Sequence, residues 1–452
     1  MERRSFLTTG LAAAAGSLLP LSACARLATT LGGPRLAAGS AFGPLAPVRD
    51  ETTGLPLLWL PPGFRYQTLG WRGDPQDDGT PTPPMHDGMA AFAIGPGRAR
   101  LIRNHEVRLN VAPSAANAGP VYDPVTGGGT TTLDFDTATG KLLSSRISIT
   151  GTSVNCAGGP TPWGSWLTCE ETMDQSVFTR ATRPHGYIFE VPLVGEADPE
   201  PLRAMGRFVH EATAVDPVTG IVYETEDQLL SGFYRFTPNV RGQLAKGGTL
   251  EMLAIDGSPK YDTRTRQRVG ETLDATWVAI DNPDDPLNPD RAAVYRQGYA
   301  KGGAIFGRLE GAWYGDGRIF IVSTNGGDLK LGQVFAYDPA EEELTLIFES
   351  PAPEVARNLD NICVSPRNAL VVCEDGGPQP QRVHGLTREG HIFPIAQSNI
   401  VLDGQVRGFK GDFRTREFAG STFSPDGTWL FVNAQSPGIT FAITGDWAAG
   451  GL

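Results

Sequence analysis

Residue types that can hold a metal ion recur along this chain in one setting, the two ends of short apolar runs that double back on themselves. In the stretch from Asn155 to Glu171 a thiol, Cys156, opens one run, and Glu170 and Glu171 close the next after a Gly/Pro-rich reversal. Antiparallel strands rise about 3.3 Å per residue and lie about 5 Å apart, so positions roughly fifteen apart return to the same end of the sheet. Cys156 and Glu171 are therefore predicted neighbours. A thiolate beside carboxylates sits in an unfavourable field unless a cation shares the site. Carboxylate and carbonyl oxygens suit calcium or magnesium, whereas one thiolate among them points to iron or another transition metal.

The arrangement returns. Glu211 is answered by Glu226 and Asp227 across Pro-Val-Thr-Gly, and Glu310 by Asn325 across Gly-Asp-Gly. Asp360 is answered by Glu374 and Asp375 across Ser-Pro-Arg-Asn, and the segment from Ala419 by Asn433 and Gln435 across Pro-Asp-Gly. A looser copy comes first, from Asp87 to Asn104, His105 and Glu106. One acid after a strand is an ordinary turn former, but six coincident copies form an internal repeat. Hairpins repeated at irregular spacing predict an all-β fold, a six-bladed β-propeller whose inner strands gather the polar ends at the mouth of a central channel.

The 452 residues include 56 glycines and 36 prolines with 40% hydrophobic residues, which suits many short strands and tight turns. Arg3-Arg4-Ser5-Phe6-Leu7 before an apolar run resembles a twin-arginine export signal, and Leu21-Ser22-Ala23-Cys24 resembles a lipobox. Residues 1–24 thus read as a signal handled by the twin-arginine export machinery. Cys24 would become the lipid anchor of a periplasmic or cell-surface protein. Residues 25–50 read as a flexible tether, and 51–452 as a single propeller domain. An insertion is expected at about 239–305, with a helix from Asp290 to Ala300 opened by an Asp cap and covering one face of the propeller.

A formal charge of −12 disfavours nucleic acid as a partner. The six histidines lack zincin spacing, and no Gly-x-Ser-x-Gly elbow or phosphate-binding loop is present. Cys169 and Cys373 hold equivalent places before acids, inside apolar runs, where buried packing is expected. Cys363 and Cys373 bracket one hairpin, which leaves open a cross-strand disulfide or two free thiols.

The segments around Cys156, Glu211, Glu310 and Asp360, and the C-terminal Phe-Ala-Gly-Ser-Thr-Phe-Ser-Pro-Asp-Gly-Thr-Trp-Leu-Phe-Val-Asn-Ala-Gln, resemble the signature segments of the PhoX-type alkaline phosphatase family. The resemblance implies a monomeric, metal-dependent phosphatase that hydrolyses small phosphate monoesters. Its channel mouth would hold two ferric ions and several calcium ions joined by an oxo bridge. Carried over by motif, Cys156, Glu171 and Glu211 would ligate iron. The Ala212 carbonyl and Asp227 resemble calcium ligands, and Glu310 and Glu374 would also bind metal. Arg308 would reach substrate phosphate, with Asn104 as a second contact, while His105 and His210 orient ligands. A phosphate dianion is repelled by so many carboxylates unless multivalent cations invert the local field. On the residues alone, a calcium-dependent propeller hydrolase of phytase or lactonase type and a noncatalytic ligand-binding propeller stay open. The thiolate favours the phosphatase, since calcium has no use for it.

Overall fold

Each repeated segment forms an antiparallel hairpin. In chain order these are His86–Gly95 with Arg98–His105, Asn155–Pro160 with Ser165–Glu170, and His210–Val215 with Val222–Glu226. They are followed by Leu309–Gly315 with Arg318–Ser323, Leu359–Val364 with Leu370–Glu374, and Phe418–Phe423 with Trp429–Ala434. The computed structural model describes residues 42–108, 119–173 and 181–452.

Local chemistry sets the reversals. In the third hairpin Asp216 accepts hydrogen bonds from the Val218 amide (2.9 Å) and the Thr219 hydroxyl (2.6 Å), an Asx turn. In the fourth, Asp316 and Gly317 have φ of 49° and 79°, the left-handed pair that matches strand twist in a two-residue loop. The inner strands are buried on both faces, and so read as continuous apolar runs such as Leu370-Val371-Val372-Cys373 rather than alternating ones.

The first strands of the six hairpins pack each on the next, and the last on the first, in a closed ring. Outer strands extend every hairpin into a sheet, giving a propeller-like, all-β architecture. The N-terminal part of the described chain closes it: Arg65–Leu69 pairs with Ile439–Thr444, and Leu58–Leu60 with Ile392–Ser398. Strand Thr272–Ala279 pairs with both Gly248–Ile255 and Glu343–Glu349, and so fuses the sheets of the third and fourth hairpins.

Every first strand carries a β-bulge at the same place, two residues opposing one on its partner strand. In five hairpins the displaced pair begins with Asp87, Cys156, Glu211, Glu310 or Asp360. In the sixth it is Gly420 and Ser421. Four of the residues that follow the displaced acids or thiol, Gly88, Ala157, Ala212 and Gly311, are small where they crowd the axis. A Cβ on Gly88 would meet the Ala157 backbone at 2.6 Å, and one on Gly311 the Asp360 carbonyl at 2.7 Å. A narrow cavity lined by Gly88, Ala157, Ala212, Gly311, Trp313 and Gly420 lies there.

Two sequence expectations are corrected. Residues 42–50 belong to the fold rather than to a tether: Phe42 packs edge-on against Phe64 at 5.0 Å, and Ala46–Val48 pairs with Leu58–Leu60. The helix in the 239–305 interval spans Ala293–Ala300, because Asp290 spends its side chain on the Ala292 amide (3.1 Å) and on Arg296 (2.7 Å) instead of capping. Of the two alternatives open for Cys363 and Cys373, the structure has free, buried thiols, the register placing Cys363 opposite Val371 and Cys373 opposite Val383. The predicted export signal, the lipobox and residues 25–41 lie outside the described residues. Among the described residues no helix is long and apolar enough to cross a membrane.

Candidate metal centre

The bulges turn Asp87, Cys156, Glu211, Glu310 and Asp360 toward one end of the ring, where the second strands finish. Four nests result, with the ligand atoms in each lying within 4.8 Å of one another: Cys156 with Glu171 and Glu211, Glu211 with Glu310 and Asp360, Asp360 with Asp375 and Glu417, and Glu417 with Asp87 and Glu106. Consecutive nests share Glu211, Asp360 and Glu417, so the set is one continuous arc in which shared carboxylates can bridge cations.

Most of these groups are buried, which decides their electrostatics. Burial pushes Asp360 up to about 8, with Asp375 the chief neighbouring charge. Burial also drives Glu211 well above the carboxylate range, helped by Glu310 and Glu171, and does the same to Asp87 beside Glu106 and to Glu417 beside Asp87. The Cys156 thiol is raised by burial and then by Asp87 and Glu211. It lies 3.7 Å from Asp87 Oδ1. These upward shifts favour the protonated acids, so a cation bound in the arc would compete with protons. The fit to metal is carried by Glu211, both of whose oxygens are fully buried without a hydrogen-bond partner. Leaving a carboxylate so is costly unless an ion coordinates it. Eight carboxylates and one thiol in a continuous set match oxygen-seeking cations with one softer position at Cys156.

Arg308 crosses the arc. Its Nε lies 3.0 Å from Asp227 Oδ1, and its Nη2 lies 2.5 Å from Glu310 Oε1. Its backbone is left-handed, with φ of 43°. Met85, Val154 and Asn358 are left-handed at the equivalent place before their own first strands. Such a conformation costs a non-glycine residue on the order of 1 kcal/mol, and at Arg308 it stands two residues before Glu310, directly ahead of the bulged strand. A second guanidinium, Arg108, bonds Glu106 at 2.7 Å from the opposite side and is 65% exposed.

The acids that end the second strands come in pairs with opposite fates, because successive residues in a strand face opposite ways. Glu170 turns into its own sheet toward His185 (2.6 Å) and the Gly186 amide (2.8 Å), while Glu171 joins the arc. Glu226 takes Tyr234 (2.7 Å), and Asp227 reaches Arg308. Glu374 is corrected on these grounds. It bonds Arg382 (2.7 Å) and His384 (3.1 Å), and the pair of partners holds it down to about 2 against the effect of burial. Asp375, one residue on, occupies the nest.

Asn104 is a second correction. Its amide donates to the Cys156 and Ala157 carbonyls (3.0 and 2.7 Å), and its oxygen accepts from Trp166 and Thr168 (2.8 and 2.9 Å). That exhausts its hydrogen-bonding capacity, so it staples the Cys156 bulge and has nothing left for substrate. Ala212 lines the axial cavity, its amide bonded to Thr225 Oγ1, which donates to the Glu310 carbonyl at 2.6 Å. His105 bonds Pro84 and Thr131, and His210 bonds the Gly206 carbonyl; both are buried behind the ring. Sequence reasoning placed Asp87, Glu106, Asp360 and Asp375 at the mouth without assigning them to metal. Aligning the hairpins on their bulges would have found them. Glu417 precedes its strand and had no such signal, and Arg108 had none either.

The family model described as alkaline phosphatase PhoX matches residues 40–147 and 137–438, nearly the whole described chain. The chain belongs to the PhoX alkaline phosphatase family. A solved structure of Pseudomonas fluorescens PhoX in complex with vanadate, a transition state analogue, superposes on it with a TM-score of 0.66 at 17% identity. That match covers 90% of this chain and 98% of the other. The gluconolactonase XC5397 from Xanthomonas campestris matches with a TM-score of 0.43 and 13% identity over 89% of this chain and 97% of its own. No curated protein matches the sequence. Among PhoX family features, the propeller-like fold is shared with the Pseudomonas protein, and the arc of ligands lies inside the matched residues.

Proposed function

We propose that this protein hydrolyses phosphate monoesters at a mixed iron and calcium site, set at the channel mouth of a six-bladed propeller formed by the six bulged hairpins. Membership of the family makes it a phosphoric ester hydrolase of the alkaline phosphatase type. The observation that carries the reading is the continuous arc of buried carboxylates with one thiol, Cys156, and with Glu211 left unpartnered where the thiol nest joins the next. Cations held there would supply Lewis acidity and charge to offset that of the phosphoryl group.

The chain's own groups do the rest. Cys156, Glu171 and Glu211 supply the softer end of the arc, suited to iron, while the all-oxygen nests of Asp360, Asp375, Glu417, Asp87 and Glu106 suit calcium. Asp227 and Glu310, which hold the Arg308 fork, would be the residues to share with cations, and the fork would then be offered to two phosphoryl oxygens. The floor of the site is closed by the crowded axis, so water and substrate both enter from the mouth. Hydrolysis of 4-nitrophenyl phosphate by protein loaded with iron and calcium tests the reading. Abolition by a chelator and recovery on adding back both metals are expected, and full activity with calcium alone would refute the mixed site.

We place the protein outside the cytoplasm, exported as a folded monomer by the twin-arginine machinery and tethered through lipidated Cys24, on the strength of the N-terminal sequence. Replacing Cys24 by Ser should move activity from the membrane fraction to the soluble one. Continued membrane association would remove the anchor.

A further inference from the structure

We infer that this site accepts phosphate esters with apolar alkyl or aryl substituents, through a leucine-lined rim beside Arg308. The inference rests on the phosphatase reading for the position of the phosphate, and on separate observations for the rim. The segment Gln228-Leu229-Leu230-Ser231 connects two strands on the mouth side of the third hairpin. It is stapled to the segment carrying Arg308: the Arg308 amide donates to the Gln228 carbonyl at 2.8 Å, and Ser231 and Phe306 exchange two backbone hydrogen bonds of 3.0 Å. Leu229 is nevertheless 70% exposed and Leu230 46%. The mouth-side loop of the fourth hairpin contributes Leu329, 57% exposed. Arg264 ties the two loops together, its carbonyl accepting from the Gly327 amide (2.9 Å) and its guanidinium reaching the Leu229 carbonyl (3.5 Å). Its own charge is matched by Asp262 at 2.7 Å.

Geometry says what the rim meets. A phosphoryl group gripped by Arg308 has the cation arc on one side and the crowded axis beneath it, so the ester substituent has to leave through the mouth. On the Arg308 side it passes the leucines. On the opposite side it would meet Arg108 and Glu106. Isolated exposed leucines are unremarked on any surface, but these three stand on two cross-linked loops, one of them bonded to the Arg308 amide, where a substituent leaving the site can meet them. A hydrocarbon substituent is the chemistry that gains from them.

Nonhydrolysable alkylphosphonates test this without turnover. Calorimetry on the full, metal-loaded protein should show affinity rising roughly tenfold from methyl- to hexylphosphonate, less than full burial of the added methylenes would give because the leucines stay half exposed. In Leu229→Ser/Leu230→Ser/Leu329→Ser the ratio of the two affinities should fall toward one, and in Leu329→Ser alone it should fall part of the way. Equal affinities in the wild type, no binding of either phosphonate, or an unchanged ratio in the triple variant would overturn the rim. The phosphatase reading is judged separately, by 4-nitrophenyl phosphate turnover. A steep phosphonate series with no turnover of any ester would refute hydrolysis and leave the rim standing, and the reverse result would do the opposite.

Discussion

Replacing Arg308 by Ala, set against Glu211→Gln, separates substrate contact from metal ligation. Arg308 is fixed by bonds of 3.0 and 3.2 Å to Asp227 and by Glu310 at 2.5 Å. Alanine inherits the same left-handed backbone at φ 43°, so the substitution adds no conformational cost that arginine did not already bear. Removing a cation from between two acids makes the arc more negative, and iron and calcium content should hold. Preorganised donors aimed at developing charge contribute about 10²–10³ in rate, so kcat/KM on 4-nitrophenyl phosphate should fall by about that much, with weaker phosphate inhibition. Arg308→Lys keeps a charge but loses the fork and should fall between. Glu211→Gln should behave in the opposite way. Its two unpartnered oxygens serve two nests at once, and metal affinity should drop by at least the roughly 10–100-fold that outer partners typically cost. Elemental analysis and kinetics on both variants read this directly. Equal iron loss in the two would show that Arg308 is structural, and unchanged kinetics in Arg308→Ala would remove it from the site.

The alternation of paired acids predicts that Glu374→Gln costs stability, on the order of 3 kcal/mol for breaking a buried pair with Arg382 and His384, while metal content holds. Asp375→Asn should lose metal and keep its melting temperature in chelator, and a reversed pattern would disprove the register. His185 lies between Glu170 and Asp123, at 2.6 and 3.5 Å. Burial opposes its charged form, but Glu170 and then Asp123 outweigh burial and raise it from 6.5 to about 9. A folded value above the unfolded one means that its contribution is complete below 6.5 and disappears as pH rises through about 9. Denaturant titrations of His185→Gln should therefore show a loss of stability at about pH 6 and a flatter decline toward about pH 10 than the wild type. Parallel curves would exclude His185 as the cause.

The hairpins were legible because their apolar runs, turn residues and polar ends coincide in each copy. Cys156, Glu171, Glu211 and Glu310 stand at polar ends of that pattern, and the structure brings them into the nests. What the pattern could not resolve was parity. Two adjacent acids such as Glu374 and Asp375 are equivalent in composition but face opposite sides of a strand, and only the bulge register tells which one enters the arc. Asn104 misled in a similar way: it opposes the bulged Cys156 and Ala157 of the neighbouring hairpin, a contact between sheets that no local spacing encodes. Glu417 and Arg108 stand outside the strands whose periodicity carried the argument. The fusion of two sheets by Thr272–Ala279 depends on pairing over a separation that sequence pattern does not reach.

On the proposed function, one arc would hold a thiolate-ligated iron together with calcium. Elemental analysis and a visible spectrum of the protein as isolated test it most directly. Iron and calcium together are predicted, with a charge-transfer band that disappears in Cys156→Ser. A colourless protein containing only zinc, or a band that survives in Cys156→Ser, would contradict it.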